Sequence, residues 1–164
     1  MNPAPHLEIR SGGQTGVDRA ALDAAMDAGV RCGGWCPAGR RAEDGSIPAR
    51  YPLDETQSCD YAERTRLNVR DSDATLIITR GPPTGGAAMT EDFAHEMGRG
   101  LKIVDLSAAG FDPDRGADDI AGWIAACGVS ILNVAGPRES TLPGIYRAAR
   151  PVLDRVCARL ADAA

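Results

Sequence analysis

Apolar runs of strand length alternate with segments of helical periodicity along most of the chain. The apolar runs predict strands at 7–11, 33–36, 74–80, 101–106 and 129–136. The periodic segments predict helices at 17–28, 60–69, 87–97, 117–127 and 144–160. Pro151 falls inside the last of these and is expected to kink or break it. About five strand–helix alternations indicate an α/β fold with a doubly wound, mainly parallel five-stranded sheet and helices on both faces. We expect one domain over residues 1–164.

Two segments outside the strands add candidate surfaces. Residues 37–58 are rich in proline, glycine and charge and show no sustained period, which predicts a long loop of the kind that often binds ligands or forms a lid. The predicted helix at 60–69 places Arg64 and Asn68 four residues apart on one face.

Three glycine-containing loops follow predicted strands, and at least two of them lead directly into a helix. They are SGGQTG (11–16), GPPTGG (81–86) and AGPRES (135–140). Ligands of doubly wound sheets collect at the carboxyl ends of the strands, and glycine N–H groups at a helix start suit an anion. For any single loop the alternative to a ligand site is a tight strand-to-helix turn, which in the first loop would have Thr15 as the helix N-cap. If the last strand lies at the far edge from the first, the first and third loops cannot share a pocket.

Arginines flank these loops and are candidate phosphate contacts. Arg40 and Arg41 lie in a glycine-containing segment and could reach an oxyanion, or they could pair with the neighbouring Glu43 and Asp44 on a solvated loop. Arg138 follows the end of the last strand, and Glu139 beside it is either its ion-pair partner or a polar ligand contact.

Other chemical signals are weaker. Glu91 and His95 lie four apart on a predicted helix, and we interpret them as a surface pair rather than an acid–base pair. Neither the GxGxxG fingerprint nor a P-loop is present, and Cys32 and Cys36 lack the further ligands of a zinc site. We therefore predict no bound metal.

Charge and composition limit the classes of partner that we expect. The net charge is −5 with 18 basic residues, of which only Lys102 is lysine, so a broad basic face for nucleic acid is not expected. No apolar run approaches the ~20 residues that span a bilayer, and no secretory signal is seen, so we expect a cytoplasmic protein with no membrane partner. Five scattered cysteines predict reduced thiols.

Four separated strings carry a resemblance that covers nearly the whole chain. They are SGGQTGVDRAALDAA, GWCPAGRRAEDGSIPARYPLDET, YAERTRLNVRDSDATLII and LNVAGPRESTLPGIY. Together they resemble the molybdenum carrier family, within the Rossmann-like nucleotide-binding domains related to the lysine-decarboxylase-like LOG proteins. This resemblance implies a binding protein for molybdenum cofactor, a phosphate-bearing pterin, as cargo. Carried over onto this chain, the implied ligand shell is Gly12, Gly13, Gln14, Thr15, Gly16, Arg40, Arg41, Gly85, Gly86, Gly136, Arg138, Glu139 and Ser140.

The resemblance to LOG also implies a rival function, the hydrolysis of a nucleoside monophosphate to release its base. LOG enzymes carry a motif like PGGxGTxxE, and the stretch TGGAAMTED departs from it at Ala88 and Thr90, which leaves Glu91 as the nearest candidate acid. A third hypothesis is a nucleotide-sensing interaction module. The sequence identifies no catalytic residue, and a homodimer is compatible with the small-residue helix faces.

Overall fold

The computed structural model describes residues 6–163, and its helices and strands follow the predicted α/β alternation. In chain order the strands are β1 (Glu8–Arg10), β2 (Arg31–Gly33), β3 (Trp35–Cys36), β4 (Arg41–Ala42), β5 (Gly45–Ser46), β6 (Asp54–Glu55), β7 (Ala74–Thr79), β8 (Gly100–Asp105) and β9 (Ile131–Ala135). The α-helices are α1 (Val17–Asp27), α2 (Tyr61–Arg70), α3 (Gly85–Glu96), α4 (Pro113–Cys127) and α5 (Ile145–Asp162). Within residues 6–163, no helix is both long and apolar enough to cross a membrane.

The central sheet has five parallel strands in the order β2-β1-β9-β7-β8, which confirms the predicted fold class. Ile9 of β1 is paired with Leu132 of β9, and Leu76 of β7 is paired with Val134 of β9. The last strand therefore lies between the first strand and β7. Since parallel strands end at the same edge, the loops that follow β1, β9 and β7 are neighbours within one chain.

Side chains alternate between the two faces of the sheet, and each face has its own cover. Leu76 and Ile78 belong to the larger apolar cluster, where α1, α4 and α5 pack together. The alternate positions Thr75 and Ile77 are also fully buried and face the side on which α3 contacts β7 and α2 contacts α3. The buried alanines of α1 make a thin helix face that lets the helix lie close to the sheet.

The predicted second strand at 33–36 is wrong in its extent. β2 ends at Gly33, and the chain turns at Gly34, where φ is 136° and a Cβ would lie 2.2 Å from the Ser11 carbonyl oxygen. β3 then leaves the central sheet and pairs with β6.

The segment at 37–58 is ordered and has a small core of its own. Ile47 and Tyr51 are buried with Leu22 of α1 and Cys36. β4 and β5 form a short antiparallel hairpin in the same segment. A segment without a hydrophobic period thus packs against α1 through a few buried apolar side chains.

Three helix predictions need correction. α3 begins at Gly85 rather than at 87. α4 begins at Pro113 rather than at 117, because the Asp112 carboxylate accepts a hydrogen bond from the Arg115 N–H and caps the helix. α5 continues through Pro151, so the proline does not break it.

Candidate functional site

The three strand-end loops meet α2 and the start of α3 around one cavity of about 100 Å³, which we call the central cavity. Each loop contributes to its wall, and so do the polar faces of both helices. Its lining residues are Gly12, Gln14, Asp18, Arg64, Thr65, Asn68, Thr84, Gly85, Gly86, Ala87, Thr90, Asn133, Val134, Ala135, Gly136, Pro137, Arg138 and Thr141.

A buried ion pair forms the inner wall of the central cavity. Arg64 Nη1 on α2 lies 3.1 Å from Asp18 Oδ2 on α1, and the two residues are 9% and 6% exposed. Burial raises the pKa of Asp18 above its ordinary value, and the Arg64 guanidinium and the Gln14 N–H oppose part of that rise. The cavity therefore contains a charge pair that water reaches poorly.

Gly12 explains how the Arg64 guanidinium fits against the first loop. A Cβ at Gly12 would lie 1.7 Å from Arg64 Nη1 and 3.0 Å from Asp18 Oδ2. The absence of a side chain at this position makes the ion pair possible. The glycine thus serves the placement of an arginine as well as the turn.

Two buried N–H donors of the cavity have no partner among the described residues. Gln14 Oε1 accepts hydrogen bonds from the N–H groups of Thr15 at 3.1 Å and Glu43 at 3.0 Å, which fixes the orientation of the amide. Gln14 Nε2 is then left without an acceptor, and so is Nε of Arg64. Unpaired buried donors are unfavourable, so the pair indicates that an acceptor belongs in the cavity.

The start of α3 forms another part of the cavity wall. Its N-cap, Thr84, makes no side-chain hydrogen bond, and the first turn holds no acidic residue. Gly85 and Gly86 are exposed, with open space where their side chains would be. The first N–H groups of a helix have no intrahelical acceptor and carry partial positive charge, so this end favours an anion.

The start of α1 is closed by the protein itself. Gly16, not Thr15, is the N-cap, with φ of 82° and no side-chain cap. The Val17 N–H donates to the Pro137 carbonyl at 3.3 Å, and the Gln14 N–H donates to Asp18 Oδ2 at 3.2 Å. The turn interpretation with Thr15 as the cap is therefore wrong in its capping residue.

Glu43 joins the segment at 37–58 to two of the strand-end loops. It accepts hydrogen bonds from the Thr15 hydroxyl, the Ser140 hydroxyl and the Ser140 N–H. Burial alone would raise the pKa of Glu43, but these donors, together with Arg138, hold it below its ordinary value. Thr15 and Ser140 thus bind this carboxylate rather than line the central cavity.

Arg40 and Glu139 also have partners inside the protein. The Arg40 guanidinium donates to four carbonyls, those of Ile47, Pro48, Tyr51 and Leu53, and therefore organises the loop. The Glu139 carboxylate accepts from the N–H groups of Gly144 at 2.5 Å and Tyr146 at 3.1 Å, at the start of α5. Gly13 and Gly16 likewise lie outside the cavity wall.

Six of the predicted shell residues do line the cavity, and several lining residues were given no ligand role from the sequence. The first group is Gly12, Gln14, Gly85, Gly86, Gly136 and Arg138. The second includes Asp18, Arg64, Thr90 and Asn133. The sequence signal that pointed toward Arg64 was its spacing of four residues from Asn68, which places both on one face of α2. Asn68 also holds β3, because its amide exchanges two hydrogen bonds with the Trp35 backbone at 2.8 and 2.9 Å.

The pair on α3 lies at the surface, as interpreted from the sequence. His95 Nε2 is 3.7 Å from Glu91 Oε1, and neither residue lines the central cavity. Among residues 6–163 there is no group of three or more histidine, cysteine or acidic side chains that could hold a metal ion.

Comparison with known proteins identifies a family that matches this chain. The model of the Circularly permutated YpsA SLOG family matches residues 9–157. The chain belongs to this family. No curated protein matches the chain.

A solved relative extends the kinship to a second protein. The crystal structure of a protein named "Putative molybdenum carrier protein" from Syntrophus aciditrophicus SB shares 42% sequence identity with this SLOG chain, with a TM-score of 0.88. The match covers 93% of this chain and 96% of that chain. The predicted kinship with LOG-like domains and the molybdenum carrier family is confirmed.

Proposed function

We propose that the protein is a binding protein for a phosphate-bearing small molecule, with the phosphate held in the central cavity. The observation that carries this proposal is the pair of unpartnered buried donors, Gln14 Nε2 and Arg64 Nε. Both belong to residues that are more than nine-tenths buried and line the same cavity. A phosphate oxygen is an acceptor that would satisfy such donors, and a charged acceptor strengthens each hydrogen bond.

The start of α3 offers further donors to the same ligand. Gly85 and Gly86 offer backbone N–H groups without a side chain to obstruct approach. Arg138 lines the same cavity closer to solvent, with a side chain that is 37% exposed. A phosphate between these elements receives a helix start, a buried guanidinium and an amide donor at once.

Molybdenum cofactor is the cargo we propose, on the strength of the solved relative's name. Its phosphate suits the donors of the central cavity, and its molybdenum is ligated by the dithiolene of the pterin. Gln14, Arg64 and the start of α3 would hold the phosphate end. A protein that carries the cofactor without transforming it needs only these binding contacts.

Metal and small-molecule mass analysis of gently purified protein tests the proposal. We expect molybdenum and a phosphorylated pterin in the wild-type protein and neither in Arg64→Gln, with Arg66→Gln on an exposed face of α2 as the matched control. A phosphorylated nucleotide in place of the pterin would retain the binding site and change the cargo. A ligand without phosphate or another oxyanion would refute the proposal.

A nucleotide N-glycosidase is the second candidate, and one observation favours it. Asp18 supplies the single carboxylate among the described lining residues, and burial raises its pKa, which suits an acid that exchanges protons with a substrate. Glu91 is absent from this lining. Base release from a nucleoside monophosphate that is lost in Asp18→Asn and kept in Glu91→Gln would establish this activity; no release by the wild type would dismiss it.

A further inference from the structure

Three arginines from three different elements surround the ring of Tyr61 at the first turn of α2. The Cζ atoms of Arg41, Arg138 and Arg64 lie 4.6, 5.3 and 5.6 Å from the ring centroid. We call Arg41, Arg64 and Arg138 the arginine cluster. Their guanidinium groups lie around one aromatic side chain, which each contacts in cation–π geometry.

The charge of the arginine cluster is only partly balanced by the described residues. Arg64 has Asp18 at 3.1 Å, whereas Arg138 reaches Glu43 only at 4.0 Å. Glu43 is already bound by Thr15 and Ser140. Arg41 donates to the Cys59 carbonyl at 3.1 Å and has no carboxylate partner among residues 6–163. Neighbouring cations with too few anions favour the binding of a further anion.

Exposure divides the arginine cluster into an inner and an outer part. Arg64 is 9% exposed and lines the inner wall of the central cavity. Arg138 lines the same cavity with a side chain 37% exposed, and Arg41 is an exposed residue. An anion at Arg64 and the start of α3 leaves much of the hydrogen-bonding capacity of the outer two guanidinium groups free.

We propose that Arg41 and Arg138 form a second anion subsite at the mouth of the central cavity, so that the ligand is a diphosphate ester rather than a monophosphate. One phosphate lies at Arg64, Gln14 and the start of α3, and the next lies between the two outer arginines. This inference rests on the proposed phosphate-binding function and specifies its ligand class; a molybdenum cofactor carried here would then bear a diphosphate rather than a single phosphate. Arginine suits this task because its planar fork meets phosphate oxygens in pairs.

Titration calorimetry with inorganic pyrophosphate and with orthophosphate, at equal ionic strength, measures the two subsites separately. We expect wild-type protein to bind pyrophosphate at least about tenfold more tightly than orthophosphate, since the outer guanidinium groups add charge-assisted hydrogen bonds. Arg41→Gln and Arg138→Gln should each remove most of that preference while orthophosphate affinity falls by less than about threefold. Arg66→Gln should change neither affinity.

The two hypotheses fail in different ways. If orthophosphate binds through Arg64 but pyrophosphate binds no more tightly, or if both outer variants keep the preference, the second subsite is refuted and the binding function stands. If neither anion binds, both proposals fall. Circular dichroism of each variant checks that folding is retained, and Arg138→Gln serves as the independent second variant if Arg41→Gln disturbs the β4–β5 hairpin.

Discussion

The starts of α1 and α3 come from similar sequences but offer opposite surfaces to a ligand. Each helix follows a strand and a loop, and two adjacent glycines lie close to each helix start, in the loop before α1 and in the first turn of α3. At α1 the protein supplies its own acceptors, because Asp18 and the Pro137 carbonyl take the Gln14 and Val17 N–H groups. At α3 the Thr84 side chain makes no cap and the first turn has no acid.

This difference shows that adjacent glycines at or before a helix start are not enough to make an anion site. The α1 loop contributes to the central cavity through side chains, Gln14 and the Asp18–Arg64 pair, whereas α3 contributes through its backbone. β1 and β7 flank β9 in the parallel sheet, which brings the two helix starts to the same edge, and an anion between them receives both kinds of donor. The start of α1 is therefore structural, whereas the start of α3 is free for a ligand.

The largest effect is expected from breaking the ion pair on the α1 side. Arg64→Gln leaves the buried Asp18 carboxylate without its cation and should reduce the free energy of unfolding by about 4 kcal/mol. The double variant with Asp18→Asn should recover a large part of this loss, because no unpaired charge remains, yet it should not recover orthophosphate binding. Urea unfolding and calorimetry measure the two properties.

Arg155→Gln is the matched surface control for that ion pair. Arg155 pairs with Asp114 at 2.7 Å, and both side chains are well exposed. An exposed pair of this kind contributes less than about 1 kcal/mol. An Arg64→Gln loss no larger than that of Arg155→Gln would mean that the pair in the cavity is not buried as described.

The next largest effect separates the glycines of the two helix starts. Gly12→Ala should destabilise the protein by about 2 kcal/mol and weaken phosphate binding, because the new Cβ displaces the Arg64 guanidinium. Gly86→Ala has open space for its Cβ and should stabilise α3 by up to about 1 kcal/mol. Equal unfolding midpoints of the two variants in urea would contradict the proposed difference.

An engineered acid should make the α3 start resemble that of α1. Thr84→Asp places a carboxylate that accepts the first N–H groups, so thermal stability should rise while orthophosphate affinity falls about tenfold. Thr84→Asn caps the helix without adding charge and should weaken orthophosphate binding less. If Thr84→Asp binds orthophosphate as tightly as the wild type, the ligand does not use this helix start.

The fold and the position of the cavity were largely predictable, but strand order was not. Apolar runs identified the sheet, and the rule that ligands gather at the carboxyl ends identified the three loops. Whether the loops after β1 and β9 meet depended on pairings such as Ile9 with Leu132, which join residues more than a hundred positions apart. Local pattern does not encode such pairing.

The side chains of the site show the same limit more sharply. Arg40 and Arg41 are adjacent and looked equivalent, yet Arg40 adopts a positive φ of 54° and binds four carbonyls, while Arg41 reaches Tyr61. The i, i+4 spacing of Arg64 and Asn68 predicted a shared face but not its direction. Direction follows from the packing of α2 over the first loop, which only the folded chain defines.

The smallest predicted effect concerns Glu43, which binds the α1 loop to the loop after β9. Its pKa is lowered in the folded protein, so its contribution to stability is fully present above its unfolded value of 4.5 and is lost as the pH falls through the lower folded value. Glu43→Gln should therefore reduce the free energy of unfolding by about 1 kcal/mol near neutral pH. The difference between wild type and variant should disappear under acid conditions, in urea unfolding followed across pH. A difference that stays constant with pH would mean that the carboxylate charge does not join the two loops. The start of α3 has no acid in its first turn, so its anion binding should be unaffected by the substitution.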